Sequence, residues 1–277
     1  TLSDFHILDE NTLSVISARH KILQTFDLKT NKVIHNQKMV GNSPGQYIED
    51  PDGDGYYFLK GPWALNSYIP PYSWFTRVDR DLKEIQGYIP GRHFKERVTY
   101  MPLLRKNLQN FNGNIRVLRP YSDTIQSVKS ETMRPAYILD FGRYKKYNER
   151  TLTVRVVDEV FKRKNGVRAV EFIETNDRLL LQYTYGVATL TEYDKKSKKI
   201  RSTPLFRPFD RPGNFRLDLH HADDEKAVFT YITKDQRVDQ FLIEQFGKDK
   251  VENWGDLDFD LMEEEEIPVL LMFKYRQ

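Results

Sequence analysis

The chain has 277 residues, with 43 basic against 40 acidic side chains and no cysteine. A net charge of +3 is too weak a field to argue for nucleic acid, disulfide staples are excluded, and no run approaches the ~20 apolar residues of a membrane helix. Aromatic residues reach 13%, with 16 Tyr and 17 Phe, which favours strands and suffices for a sizeable core.

Taken in chain order, residues 13–17 form the first short apolar run, followed by 21–28 and 32–36, with a Thr30-Asn31 turn between the last two. Gly41-Asn42-Ser43-Pro44-Gly45 then breaks the pattern, as Gly and Pro do at turn positions. A second unit has strands over 55–59, 74–78 and 85–88, and a bulky loop over 61–71 that carries Trp63 and Tyr68. A third unit covers 100–104, 114–118, 124–128 and 136–140. The fourth runs through 169–173, 178–183 and 187–193 and closes near Ile200. The fifth has 215–220, 226–232 and 241–243, and a last strand over 268–275 has nothing after it to pair. Two stretches interrupt the rhythm. Residues 148–164 suit a short helix by spacing, although 151–157 alternates well enough for a strand, and 239–266 ends in the acidic run Glu263-Glu264-Glu265-Glu266, read as a solvated loop.

One hairpin phrase recurs through these units: an aromatic or apolar residue, an Asp, a short polar turn, then an apolar strand. It reads Phe26-Asp27-Leu28-Lys29-Thr30-Asn31-Lys32-Val33, then Val78-Asp79-Arg80-Asp81-Leu82-Lys83-Glu84-Ile85, then Tyr193-Asp194-Lys195-Lys196-Ser197-Lys198-Lys199-Ile200. Tyr121-Ser122-Asp123-Thr124-Ile125 is a variant. Hairpins repeating at intervals of tens of residues mean an array of small sheets rather than one continuous sheet. No linker rich in Pro, Gly or Ser divides the chain, so a single domain over 1–277 is expected. A closed ring of blades removes most exposed edges, and 277 residues over six blades is close to the ~40–45 of a four-stranded blade. The expected fold is all-β: a six-bladed β-propeller of four-stranded antiparallel blades, closed by the C-terminal strand with N-terminal strands. The chain opens at Thr1 without an initiator Met, so a signal segment upstream, and with it an initial strand, is expected to have been removed.

Several phrases resemble the six-bladed β-propeller family of predicted lipoproteins from Bacteroidetes. That family carries a turn of the form G-x-G-P-G-E-Y, matched here by Gly41, Pro44, Gly45 and Tyr47 but not by Ser43 and Gln46. Asp123-Thr124-Ile125, Pro135-Ala136-Tyr137, Asp140-Phe141-Gly142-Arg143-Tyr144 and the closing Ile267-Pro268-Val269-Leu270 follow in the family's order. The resemblance implies an exported protein, tethered by lipid at a cysteine upstream of Thr1, in the periplasm or on the outer membrane surface. It implies no catalytic residues.

Candidate sites are few. Asp50-Pro51-Asp52-Gly53-Asp54-Gly55 places carboxylates at alternate positions before Gly, as calcium loops do, but the twelfth position holds Gly61 and the ninth Phe58. A polar turn is the favoured reading, and no cofactor is expected. His220-His221-Ala222-Asp223-Asp224 places adjacent histidines on opposite faces of a strand, so no metal site is expected there either. No nucleophile elbow, Walker loop or dinucleotide fingerprint is present. The better lead is aromatic: Trp63, Tyr68, Tyr72 and Trp74 cluster around the second unit, with Arg92, His93, Arg119 and Arg134 as polar partners. Such surfaces suit stacking on sugar faces or anchoring a protein, although the same aromatics could instead fill the space between sheets. The expected function is non-catalytic binding of a glycan, a peptide or an envelope protein. The alternatives are a glycan-active hydrolase or lyase with carboxylates at the channel mouth, and a structural subunit of an envelope complex.

Overall fold

The computed structural model describes residues 4–17, 20–39, 44–60, 73–90, 107–119, 122–142, 167–185, 187–204, 217–233 and 267–274. Every regular element among them is a strand. β1 (Asp4–Asp9), β2 (Thr12–Ser17), β3 (Ile22–Asp27) and β4 (Lys32–Lys38) make the first antiparallel meander. β5 (Pro44–Glu49), β6 (Gly55–Lys60), β7 (Ser73–Asp79) and β8 (Glu84–Pro90) make the second. The third holds β9 (Leu108–Phe111), β10 (Asn114–Leu118), β11 (Thr124–Lys129) and β12 (Thr132–Ile138). The fourth holds β13 (Arg168–Glu174), β14 (Arg178–Tyr185), β15 (Val187–Asp194) and β16 (Ile200–Pro204). β17 (Leu217–Ala222), β18 (Lys226–Thr233) and β19 (Ile267–Lys274) form a three-stranded sheet. Small four-stranded meanders in series are the blades that the recurring hairpin phrase implies.

Two compact units result, Thr1–Glu174 with Tyr183–Gly186, and Thr175–Gln182 with Val187–Gln277. In the first, β6 shows why the second sheet sits at the centre of a core. Its Tyr56-Tyr57-Phe58-Leu59 is apolar at every position, so both faces must be covered. Tyr56 and Phe58 pack with Ile16, Leu23, Met39, Tyr47 and Val78. Tyr57 and Leu59 pack on the opposite face with Trp74, Phe75, Ile89, Ile115, Val117 and Val128. In the second unit, Asp224 ties a turn to its neighbour: its carboxylate accepts from the Asp177 N–H at 2.9 Å, and its carbonyl accepts from Arg178 Nη1 at 2.6 Å.

In the three full copies of the phrase the recurring Asp is the acceptor that closes the hairpin. Asp27 Oδ1 accepts from the N–H of Lys29 and of Thr30, at 2.8 and 3.0 Å. Asp79 Oδ1 accepts from Lys83 N–H at 2.8 Å and Asp194 Oδ1 from Ser197 N–H at 2.7 Å. These turns place Asn31, Leu82 and Lys198 at positive φ, a conformation that a residue with a Cβ tolerates only where its surroundings hold it. The Ser197 N–H, followed by further local hydrogen bonds, holds the Asp194 carboxyl below its ordinary pKa.

Consecutive sheets are joined by polar side chains on or beside their first strands. Asp4 of β1 accepts from the Tyr47 N–H of β5 at 3.1 Å. Gln46 of β5 accepts from the N–H of Asn107, just before β9, at 3.1 Å. The Asn107 amide, fully buried, donates to the carbonyls of Leu118 and Val170, each at 3.0 Å. Gln109 of β9 pairs its carboxamide with both backbone groups of Glu174 in β13, each at 2.7 Å. In the second unit Gln182 accepts from the Leu219 N–H at 2.8 Å.

Three strands depart from the sequence reading. β1 and β5 fall where no strand was expected, β5 beginning inside the Gly-Pro break, and β9 begins after the expected 100–104. The expected elements at 100–104, 148–164 and 241–243 lie outside the described residues. The C-terminal strand β19 pairs along β18, from Lys226↔Lys274 to Thr233↔Ile267, while β1–β4 already form a complete sheet of their own.

The Gln46 contact predicts a measurable loss. Gln46→Leu keeps the shape but leaves the Asn107 N–H buried without its acceptor, which costs about 1–3 kcal/mol. Urea unfolding should show the midpoint falling with an unchanged slope, and an unchanged midpoint would contradict the role given to this side chain.

Candidate functional site

The antiparallel register gives the second sheet two distinct ends. At one, Pro44 lies opposite Lys60 and Ser73 opposite Pro90. At the other, Glu49 lies opposite Tyr56, Gly55 opposite Asp79 and Val78 opposite Glu84. The short turns at 50–54 and 80–83 close the second end. The first end is where chain segments 61–72 and 91–106 depart, because β6 and β8 run in the same direction. The second of these segments arrives at Asn107, at the end of the third sheet where β10 ends at Leu118 and Arg119 follows.

The candidate residues distribute over this frame unevenly. Trp63, Tyr68, Tyr72, Arg92 and His93 lie outside the described residues, on the two segments that leave the first end. Trp74, the second residue of β7 at that end, is buried, 6% exposed, within the core cluster of Tyr57, Phe75 and Ile89. Arg119 is half-buried at the corresponding end of the third sheet, and its carbonyl accepts from the Ser122 N–H at 3.1 Å. Arg134 sits apart, exposed in β12 and paired with Ser127 in β11 toward the opposite end of that sheet.

The middle of the second sheet is aromatic. Tyr57 stacks on Phe75 at 5.6 Å between centroids, and Tyr88 leans on both rings at 6.1 and 5.4 Å. Burial pushes the hydroxyl pKa values of Tyr57 and Tyr88 up, so both stay neutral donors. The Tyr88 hydroxyl donates to the Ser130 carbonyl at 2.7 Å.

At the second end the Asp-rich motif is resolved residue by residue. Asp50, only 3% exposed, accepts from Arg77 Nε at 2.5 Å, and Asp54 lies 3.8 Å from Arg77 Nη2. Burial lowers the Arg77 pKa, but the Asp50 hydrogen bond and charge outweigh it and hold the guanidinium ionised. Gly53 turns at φ 82° and its carbonyl accepts from Arg80 Nε and Nη2 at 3.1 and 2.9 Å. A Cβ at Gly55 would stand 1.9 Å from the Val78 carbonyl oxygen, so only glycine lets the two strands meet there. Arg80 also donates to Glu49 at 2.9 Å and lies 5.0 Å over the Tyr56 ring. In this turn Arg77 supplies the positive charge that Asp50 and Asp54 face.

A second buried carboxylate is committed in the same way. Glu174 accepts from Arg116 Nε and from the Tyr137 hydroxyl, both at 2.6 Å. Arg116 also donates to Ser127 Oγ and lies 5.6 Å over Phe111. The sequence carried a signal for Glu174 and Glu171: two acids inside the otherwise apolar run of β13. Nothing local announced that Arg116 and Tyr137 would meet it. Among the described residues, no group of three or more His, Cys, Asp or Glu is placed to hold a metal ion.

A family model described as a 6-bladed beta-propeller matches residues 1–217. A crystal structure of a Bacteroides fragilis protein classed as exported superposes with a TM-score of 0.67 at 12% identity, over 99% of this chain and 77% of that one. The β-propeller domain of Cps50 (Swd1) from Myceliophteria thermophila gives 0.40 at 12% identity, over 85% and 70% of the two chains. The WD40 domain of SCAP from fission yeast gives 0.35 at 9% identity, over 98% and 72%. At such identities the likeness is one of fold, and the last two are too distant in shape to argue from. No curated protein matches the sequence.

Arg77→Met would leave Asp50 buried and uncompensated, at a cost of about 3–5 kcal/mol. Adding Asp50→Leu should recover most of that loss in chemical denaturation. Equal stability of Arg77→Met and the unaltered chain would contradict the pairing.

Proposed function

This chain belongs to the 6-bladed β-propeller family, and from that premise we propose that it is a non-catalytic binding module of the bacterial cell envelope. Its ligand is a glycan, a peptide or a partner protein, held where 61–72 and 91–106 leave the second sheet. One observation carries the reading. Two long segments bearing Trp63, Tyr68, Tyr72, Arg92 and His93 depart from the same end of an aromatic sheet, whose opposite end is closed by tight hydrogen-bonded turns. Long connections on a stiff scaffold are where binding residues concentrate, and Trp and Tyr offer broad faces at small entropic cost. Arg119, at the neighbouring sheet end that 91–106 reaches, is the polar partner that this reading assigns to the same ligand.

The envelope setting, in the periplasm or on the outer membrane surface with a lipid anchor upstream, rests on the resemblance to Bacteroidetes lipoproteins. The exported class of the Bacteroides fragilis neighbour is in keeping with it. The binder reading is preferred to a hydrolase or lyase because the aromatic segments give it a surface, while two of the buried carboxylates, Asp50 and Glu174, are each engaged by an arginine. A charge-assisted hydrogen bond of this kind ties the carboxylate to its arginine and suits a structural role.

Thermal unfolding against a panel of glycans tests this directly. A bound glycan at ~100 times its dissociation constant adds about 2.7 kcal/mol of stability, a clear upward shift of the midpoint. Trp63→Ala should abolish that shift while leaving the unliganded midpoint in place. Consumption of the glycan on incubation would replace the binder with an enzyme, and a collapse of Trp63→Ala would assign the indole to the core.

A further inference from the structure

The outer strand of a sheet carries a row of unpaired backbone groups to which another chain can add. In the first three sheets that edge is broken by bulges. β4 loses register against β3 between Thr25 and Phe26, β8 against β7 at three places, and β12 against β11 between Ile125 and Gln126. Bulges of this kind turn an edge away from partners.

β16 has no such protection. It pairs with β15 from Tyr193↔Ile200 to Thr189↔Pro204 without a shift of register, and the Thr191 and Ser202 hydroxyls bond across the pair at 2.7 Å. The turn that feeds it is fixed. Lys195 donates its N–H to the Asp177 carbonyl at 2.8 Å and its ammonium to the Thr175 carbonyl at 2.6 Å. Residues 200–203 are all exposed, Ile200 at 69%, and no strand lies beside β16 among the described residues.

The charge along this edge has one sign. Lys198, Lys199 and Arg201 are exposed on or immediately before the strand. Lys196 is held by Asp177 at 2.9 Å, and Glu192, directly across from Arg201, is held by Arg178 at 2.6 Å. Asp177 and Glu192 are therefore engaged by other cations, and Asp194, whose carboxylate accepts from the Ser197 N–H, is one negative charge against three, so the edge stays net positive.

We propose that the free edge of β16 is a docking site for an extended acidic segment of a partner protein, which adds to the fourth sheet as a further strand. Backbone hydrogen bonds supply the pairing, the partner's carboxylates meet Lys198, Lys199 and Arg201, and an apolar residue covers Ile200. Pro204 has no N–H to offer, so the addition ends there. The proposal uses none of the residues assigned above to the ligand site, and it stands or falls separately from that reading.

The probe is a capped peptide of about ten residues alternating Glu and Val, with its Lys-Val counterpart as control, titrated calorimetrically into the full chain. Hydrogen exchange is followed at residues 200–203 in parallel. The Glu-Val peptide should bind, slow exchange at β16 and weaken with added salt, while the Lys-Val peptide should not bind. Lys199→Glu with Arg201→Glu should weaken binding about tenfold or more, whereas Lys32→Glu with Lys38→Glu on the bulged edge of β4 should leave it unchanged. If charge reversal unfolds the chain, Lys199→Gln with Arg201→Gln gives the same comparison. No binding, binding without protection of β16, binding indifferent to these charges, or binding only to phosphatidylglycerol vesicles would overturn the proposal.

Discussion

Everything in the first unit depends on what becomes of the free edge of each sheet's first strand. A four-stranded meander pairs its interior strands internally, but the first strand has one side with no backbone partner, and a buried N–H without an acceptor costs as much as several good contacts return. Here the acceptors are side chains from the preceding sheet: Asp4 for the Tyr47 amide, Gln46 for that of Asn107, Gln109 for that of Glu174. The relay does two things at once. It answers the exposed edge, and it fixes the spacing of successive sheets, since a carboxamide reaches only one hydrogen-bond length.

That device also explains which parts of the fold could be read from the sequence. The interior strands were legible because their apolar residues are continuous or alternate cleanly, as in 55–59, 114–118 and 178–183. The hairpins were legible because an Asp accepting from amides a few residues on has a fixed local signature, seen at Asp27, Asp79 and Asp194. β1, β5 and β9 were missed for one shared reason. Asp4, Gln46 and Gln109 stand at positions that a hydrophobic pattern would assign to apolar residues, and their task of binding a neighbour's backbone is not visible in one strand alone. β13 carries the same kind of partner, Glu174, but its Val170, Phe172 and Ile173 outweigh the polar positions.

The candidate site was legible in part. Aromatic density around 61–74 pointed to one region of the chain, and the sheet topology places both segments that leave there at one end of the second sheet. Trp74 shows why density alone does not distinguish ligand from core: Trp74, Phe75, Thr76 and Val78 of β7 are all buried, and the tryptophan goes with them. The Asp50 motif was equivocal in sequence because its alternate carboxylates suit a hard cation as well as a turn. Arg77, more than twenty residues downstream, meets the Asp50 and Asp54 carboxylates, and no local pattern connects the two segments.

The relay of side chains between first strands is the central claim, and native-state hydrogen exchange at the amides of Tyr47, Asn107 and Glu174 tests it most directly. If Asp4, Gln46 and Gln109 hold these groups as described, the three amides exchange only through global unfolding, with the same protection as interior amides of β6 and β10. Rapid exchange of all three through local opening, while β6 and β10 stay protected, would contradict the account.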